Sequence, residues 1–133
     1  MTELIMQWLH VAAKGPAEAW RERASANVVI RLPFAPPGVA NELRGLTEAI
    51  AAMESLWTAT RTFEWKDVVI RRTEDPELFV TTARSEAVLL SGKRYANIYV
   101  MLTRLQHKRV IEHAEYFNPL PVIEVFGSQP AQT

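Results

Sequence analysis

No cysteine occurs among the 133 residues, which excludes disulfides, thiolate metal sites and cysteine nucleophiles, and is compatible with a reducing compartment. An excess of one charge is missing too. Fifteen basic and fifteen acidic residues cancel to a formal net charge of zero, and no basic block supplies the footprint that a nucleic acid would need. His10, His107 and His113 lack the HExxH or HxH spacing of a metal site, so no metal is expected. No stretch approaches the roughly 18 apolar residues of a membrane span, and the N-terminus lacks the basic start, long apolar run and small-residue cleavage site of a secretory signal. These absences lead to the expectation of a cytoplasmic protein with no membrane and no nucleic-acid partner. The length fits one domain that buries roughly two-thirds of its unfolded surface. That domain is expected over residues 1–127, with a polar tail from Ser128 to Thr133.

What is present changes period once, from helical at the front to strand-like at the back. Leu4, Ile5, Trp8, Val11 and Ala12 share one face at a 3.6 spacing, with Thr2 available as a cap and Gly15-Pro16 as the stop. Pro16 suits the start of a short second helix that carries Trp20 and Ala24 toward Ala26. Val28 to Leu32 reads as a strand stopped by Pro33. The proline-rich run from Phe34 to Ala40 is a loop, and it is apolar enough to line a ligand site, which makes Phe34 a candidate contact. A third helix spans Leu46 to Ala59, with Ile50, Met53, Glu54 and Trp57 at helical spacing. Four strands follow, Phe63–Arg72, Leu78–Leu90, Arg94–Leu105 and Arg109–Phe117, joined by Glu74-Asp75-Pro76, Ser91-Gly92-Lys93 and Gln106-His107-Lys108. Connections this short give consecutive antiparallel hairpins. The class is α+β, with three N-terminal helices covering one face of a curved antiparallel sheet.

The last strand carries the chemistry. Alternation puts Ile111, His113, Glu115 and Phe117 on one side and Val110, Glu112, Ala114 and Tyr116 on the other. A base and an acid framed by two apolar residues suit proton transfer, because apolar surroundings raise a carboxyl pKa toward a useful range. Since charged residues are mostly exposed, the competing reading is a solvated sheet edge. On the preceding strand Tyr95, Tyr99, Met101 and Thr103 share a face, and Tyr99 could orient a ligand oxygen. Trp8, Trp20, Trp57 and Trp65 suit core packing at least as well as a ligand cage. His10, His107, Arg71 and Arg72 read as surface residues. Val110, Ala114 and Tyr116 make the far side more apolar than a solvated face needs, which predicts a symmetric homodimer through it.

Several segments, in order, resemble a known family: Val28-Val29-Ile30-Arg31-Leu32-Pro33-Phe34, Leu43-Arg44-Gly45-Leu46-Thr47-Glu48-Ala49-Ile50, Gly92-Lys93-Arg94-Tyr95-Ala96-Asn97-Ile98-Tyr99-Val100 and Glu115-Tyr116-Phe117-Asn118-Pro119. Across nearly the whole chain they are similar to SnoaL-like members of the nuclear transport factor 2-like superfamily. The resemblance implies a cone-shaped α+β barrel, an apolar pocket between helices and sheet, and usually a homodimer. Its members include ketosteroid isomerase, scytalone dehydratase, polyketide cyclases, limonene epoxide hydrolase, PhzA and PhzB, together with non-catalytic binders, so fold alone leaves function open. The aspartate base of ketosteroid isomerase falls at Leu32, its first-helix tyrosine at Trp8, and its second oxyanion donor near Tyr99 or Met101; its common Ala-Asp-Asp is Ser25-Ala26-Asn27. A ketosteroid isomerase mechanism is therefore disfavoured. PhzA and PhzB end in a similar segment, whose acid/base glutamate matches Glu115, and the isomerase's pocket-facing positions match His113, Glu115 and Phe117.

Two readings result. One is a cofactor-independent acid/base enzyme acting on a small apolar, polyketide-, steroid- or phenazine-precursor-like molecule as isomerase, cyclase or dehydratase. Glu115 would be the proton-transfer group, His113 its partner, and Tyr99, Trp8, Trp57, Phe34, Met101, Phe117 and Ile111 the ligand contacts. The other is a non-catalytic, dimeric small-ligand-binding module, for which the missing acids at Leu32 and near Met101 argue.

Overall fold

In the computed structural model, residues 1–127 are described, and the tail Ser128 to Thr133 lies outside them. Helix α1 spans Thr2–Lys14 and turns Ile5, Trp8, Leu9 and Ala12 inward, as the 3.6 periodicity requires. Thr2 is its first residue rather than its cap; Met1 takes the cap position without a side-chain bond. Helix α2 is Ala17–Arg23, and strand β1 begins at once, at Ala24, and runs to Arg31. After the proline-rich loop, a short strand β2, Glu42–Arg44, precedes α3, Leu46–Ala59. Strands β3 (Thr60–Arg72), β4 (Leu78–Leu89), β5 (Arg94–Gln106) and β6 (Arg109–Phe117) form the meander, and α4, Pro119–Phe126, closes the described chain.

The sheet order is β2-β1-β6-β5-β4-β3. The pairs are antiparallel except β1 with β6, which is parallel. The expected antiparallel sheet is therefore mixed, and it is not closed. A parallel neighbour needs a long crossover, supplied here by everything between β1 and β6. The α+β cone with helices packed on the sheet's inner face is the observed fold. Its core joins Ile5, Trp8 and Leu9 of α1 to Val28, Ile30, Phe79, Met101 and Val110 of the sheet. Among the described residues no helix is long and apolar enough to cross a membrane.

Two details differ from the sequence reading, and both shape the site. Along β5 and β6, Arg104 pairs with Glu112 but Leu105 pairs with Val110, so Ile111 is an extra residue on β6. This β-bulge reverses the alternation at its position. Val110 consequently turns into the core instead of the outer face, whereas His113 keeps its inward direction. The second detail is α4. Asn118 follows the end of β6, and its side-chain oxygen accepts a hydrogen bond from the Leu120 backbone N–H at 3.0 Å, with Pro119 in the first turn. An Asn-Pro pair is a helix start as well as a strand stop. The β5–β6 turn places His107 and Lys108 at φ of 52° and 65°, the two left-handed positions of a two-residue hairpin that holds this register.

Candidate functional site

A cavity of about 440 Å³ opens between the three N-terminal helices and the inner face of the sheet. Its walls are Trp8 and Ala12 from α1, Trp20 from α2, Met53 from α3, Trp65 from β3, Tyr95 and Tyr99 from β5, Phe117 from β6, and Val122 and Phe126 from α4. Glu115 is the one carboxylate among the described lining residues, and no lysine or arginine accompanies it. Leu32, at the position before Pro33, also lines the cavity, so that position is inward-facing and apolar.

The indoles tie this wall together. Trp20 and Trp57 donate Nε1–H to the carbonyls of Val11 at 2.7 Å and Ala12 at 3.1 Å in the last turn of α1, where Val11 also accepts from the capping Gly15 N–H; Trp65 donates to Leu9 at 2.9 Å. The fourth indole is used differently. Trp8 Nε1 lies 3.2 Å from His113 Nδ1, Thr103 Oγ1 lies 2.9 Å from the same nitrogen, and His113 Nε2 lies 3.0 Å from Glu115 Oε2. The His113 side chain is 2 % exposed and that of Glu115 is 20 % exposed. Glu115 Oε1 has no hydrogen-bond partner among the described residues and is available to a molecule in the cavity.

Beside this chain runs a second one, of phenols. Tyr99 and Ser85 hydroxyls are 2.8 Å apart, and Asn97 Nδ2 donates to the Tyr95 oxygen at 2.7 Å and to the Asn118 carbonyl at 2.9 Å. Burial pushes the Tyr99 phenol well above its ordinary range, with the neighbouring Tyr95 and the Glu115 charge adding to the rise. Burial likewise raises Tyr95, against the Asn97 hydrogen bond that lowers it. Both phenols thus remain protonated donors near Glu115. A folded-state pKa above the unfolded value gives stability that is complete below about pH 10 and is lost as pH rises further. The urea midpoint should accordingly fall between pH 9 and 11, and less steeply in Tyr99→Phe. A midpoint that is flat over this range would contradict the burial of these phenols.

The structure brings Glu115, His113, Tyr99, Trp8 and Phe117 to the cavity and places four other candidates away from it. Met101 pairs with Glu115 in register but is fully buried in the core. Ile111 is displaced by the bulge. Phe34 is 54 % exposed and packs edge-on against Tyr116, with ring centroids 5.5 Å apart on the outer side. Trp57 lies against the end of α1, where a Cβ on Gly15, at φ 70°, would come within 2.7 Å of its ring. It borders a second, more polar pocket with Lys14 and Arg61 instead. His10, Arg71, Arg72 and His107 are exposed. The sequence reading missed Ser85, Asn97, Leu43 and the α4 residues. Alternation along β4 was the available signal for Ser85, which is buried opposite Asn97.

No family model matches the chain. It is 27% identical over 130 residues to an uncharacterized PhzA/B-like protein of Pseudomonas aeruginosa, covering 97% of this chain and 92% of that one. Among solved structures, a provisionally assigned isomerase of Bacillus subtilis superposes with a TM-score of 0.85 at 19% identity, covering 96% of this chain and 93% of that one. A phenazine biosynthesis-related protein of Pseudomonas aeruginosa gives 0.76 at 16% identity, with 92% and 78% covered. A nuclear transport factor 2-like protein of Burkholderia xenovorans gives 0.75 at 10% identity, with 92% of each chain covered.

Proposed function

On the SnoaL-like, nuclear transport factor 2-like fold that this chain has, we propose that the cavity binds a small, largely apolar, uncharged molecule and that Glu115 moves a proton on it, in an isomerase-, cyclase- or dehydratase-type reaction that needs neither metal nor nucleotide. One observation carries the reading. A lone carboxylate in an apolar cavity has one oxygen held by His113 and the other open toward the ligand space. The largely apolar walls lower the local dielectric, which strengthens every charge interaction inside. The Tyr95 and Tyr99 phenols, held protonated, supply donors where negative charge develops on a ligand oxygen. The resemblance of Glu115-Tyr116-Phe117-Asn118-Pro119 to the closing segment of PhzA and PhzB implies acid/base work at Glu115, and the chain's likeness to a PhzA/B-like protein accords with that resemblance. Leu32 and Trp8 in the cavity wall speak against a ketosteroid isomerase mechanism.

The test is deuterium uptake at carbons α to the carbonyl in neutral bicyclic ketones, followed by mass spectrometry with and without protein. Uptake accelerated by the wild type supports catalysis. Ligands that bind tightly without exchange leave the other reading, a binding module, which the absence of a second acid among the described lining residues favours.

We also propose a homodimer through the outer face. Ile98 and Val100 are 59% and 44% exposed there, and Tyr116 stands opposite Val100 in register. Sedimentation at micromolar concentration should give about twice the 15.1 kDa of one chain, and a 15.1 kDa species alone would refute it.

A further inference from the structure

The geometry points to Trp8 as a positioning residue that fixes the tautomer of His113 and thereby makes Glu115 a base, so that catalysis begins with proton abstraction from an uncharged carbon acid. This rests on Glu115 as the proton-transfer group, and it goes beyond that reading by assigning the direction of transfer and the class of substrate.

An indole nitrogen can only donate a hydrogen bond. With Trp8 Nε1 at 3.2 Å from His113 Nδ1, a proton on Nδ1 would set one N–H against another. The Nδ1 lone pair therefore accepts from Trp8. A neutral imidazole carries one proton, which leaves it on Nε2, 3.0 Å from Glu115 Oε2. Thr103 Oγ1 reaches Nδ1 at 2.9 Å, but a hydroxyl both donates and accepts, so it fits either tautomer and selects neither. The ring is held in place as well: Trp8 and His113 meet at 76° with centroids 5.5 Å apart, on a helix whose Ile5 and Leu9 are fully buried.

His113 is then the donor to Glu115, not the acceptor of its proton. Oε2 is occupied by Nε2–H, and Oε1 is the reacting atom. In the step that follows, the α C–H bond breaks and an O–H bond forms at Glu115 Oε1. The electron pair of the C–H bond moves into the carbonyl, whose oxygen takes the negative charge against the phenol donors. Return of the proton to another carbon completes an isomerisation; attack of the carbanion on a second carbonyl forms the new C–C bond, and that carbonyl's oxygen takes the Glu115 proton as its π bond breaks, which completes a cyclisation. A reaction that must open by protonating a leaving hydroxyl is disfavoured. With no lysine or arginine among the described lining residues, the acid is a neutral ketone or enone rather than a carboxylate or phosphate.

Long-range ¹H–¹⁵N correlation spectra of the ¹⁵N-labelled protein test this without any substrate, with His10→Gln and His107→Gln assigning the other two imidazoles. The wild type should show a single His113 tautomer with pyridine-type Nδ1 and protonated Nε2. In Trp8→Phe, which keeps a ring and removes the donor, an Nδ1–H form should appear, since Thr103 can accept from it. α-Deuterium uptake should fall about tenfold or more in that variant while ligand affinity is retained, because a wrong imidazole tautomer costs catalysis without removing the site. A protonated Nδ1 in the wild type would overturn the inference even if Trp8→Phe did not fold. An Nδ1–H wild type that still exchanges deuterium would leave the proposed function standing without it, whereas the Nε2–H tautomer with no exchange would refute the base assignment and keep only the geometry.

Discussion

Glu115→Gln is expected to lower α-proton exchange by about a hundredfold or more, the usual range for loss of a general acid or base, while ligand affinity stays close to that of the wild type. Glutamine keeps the side-chain shape, and its amide oxygen can still accept from His113 Nε2–H, the bond that spans 3.0 Å in the wild type. What it cannot do is take up a proton. Cavity shape and the phenol chain are untouched, since Glu115 bonds to neither Tyr95 nor Tyr99. Calorimetry on a bound bicyclic ketone and deuterium uptake by the same protein separate the two effects. A variant that exchanges at the wild-type rate would remove Glu115 from the chemistry; one that neither binds nor exchanges would assign it to ligand binding.

The largest expected effect on stability comes from Trp20→Ala, at about 3–5 kcal/mol. Trp20 is almost fully buried, with its ring edge-on to Trp8 at 4.7 Å and tilted against Trp57 at 5.5 Å. Its N–H satisfies the Val11 carbonyl near the end of α1 at 2.7 Å. Removing it loses the apolar transfer energy of a large ring, both aromatic contacts and one of the two donors to the Val11 carbonyl, which keeps the Gly15 N–H. Because Trp20 also lines the ligand cavity, the vacated space joins an existing void and collapse cannot refill it. Urea unfolding should show a lower midpoint with a near-constant slope. A loss under about 1 kcal/mol would mean that the helices do not close on the sheet in this way.

The strands were legible because their two-residue period is interrupted at Pro76, Gly92 and His107-Lys108, where the chain does turn. Alternation then carried His113, Glu115 and Phe117 correctly to one face. It failed at Val110 and Ile111, because a bulge is set by how β6 meets β5, and no local pattern announces it. Helix α3 was read to the residue from its apolar spacing. Helix α4 is not legible: an Asn-Pro pair suits a strand stop as well as a helix start, and eight residues are too few for periodicity to register. Trp57 shares α3 with the cavity-lining Met53, but four residues on it lies over Gly15 instead. Phe34 was misassigned because an apolar loop can pack on either side of a sheet. Nothing local in the sequence links Trp8 to His113, 105 residues apart.

A crystal structure of the protein soaked with 2-naphthol, an uncharged bicyclic mimic of an enolised ketone, tests the central claim most directly. The account predicts the rings inside the cavity beside Trp65 and Phe117, with the naphthol oxygen within hydrogen-bond distance of the Tyr95 or Tyr99 hydroxyl and the adjacent ring carbon facing Glu115 Oε1. Naphthol bound only on the outer face around Ile98 and Val100, or in the cavity with its oxygen away from both phenols, would contradict it.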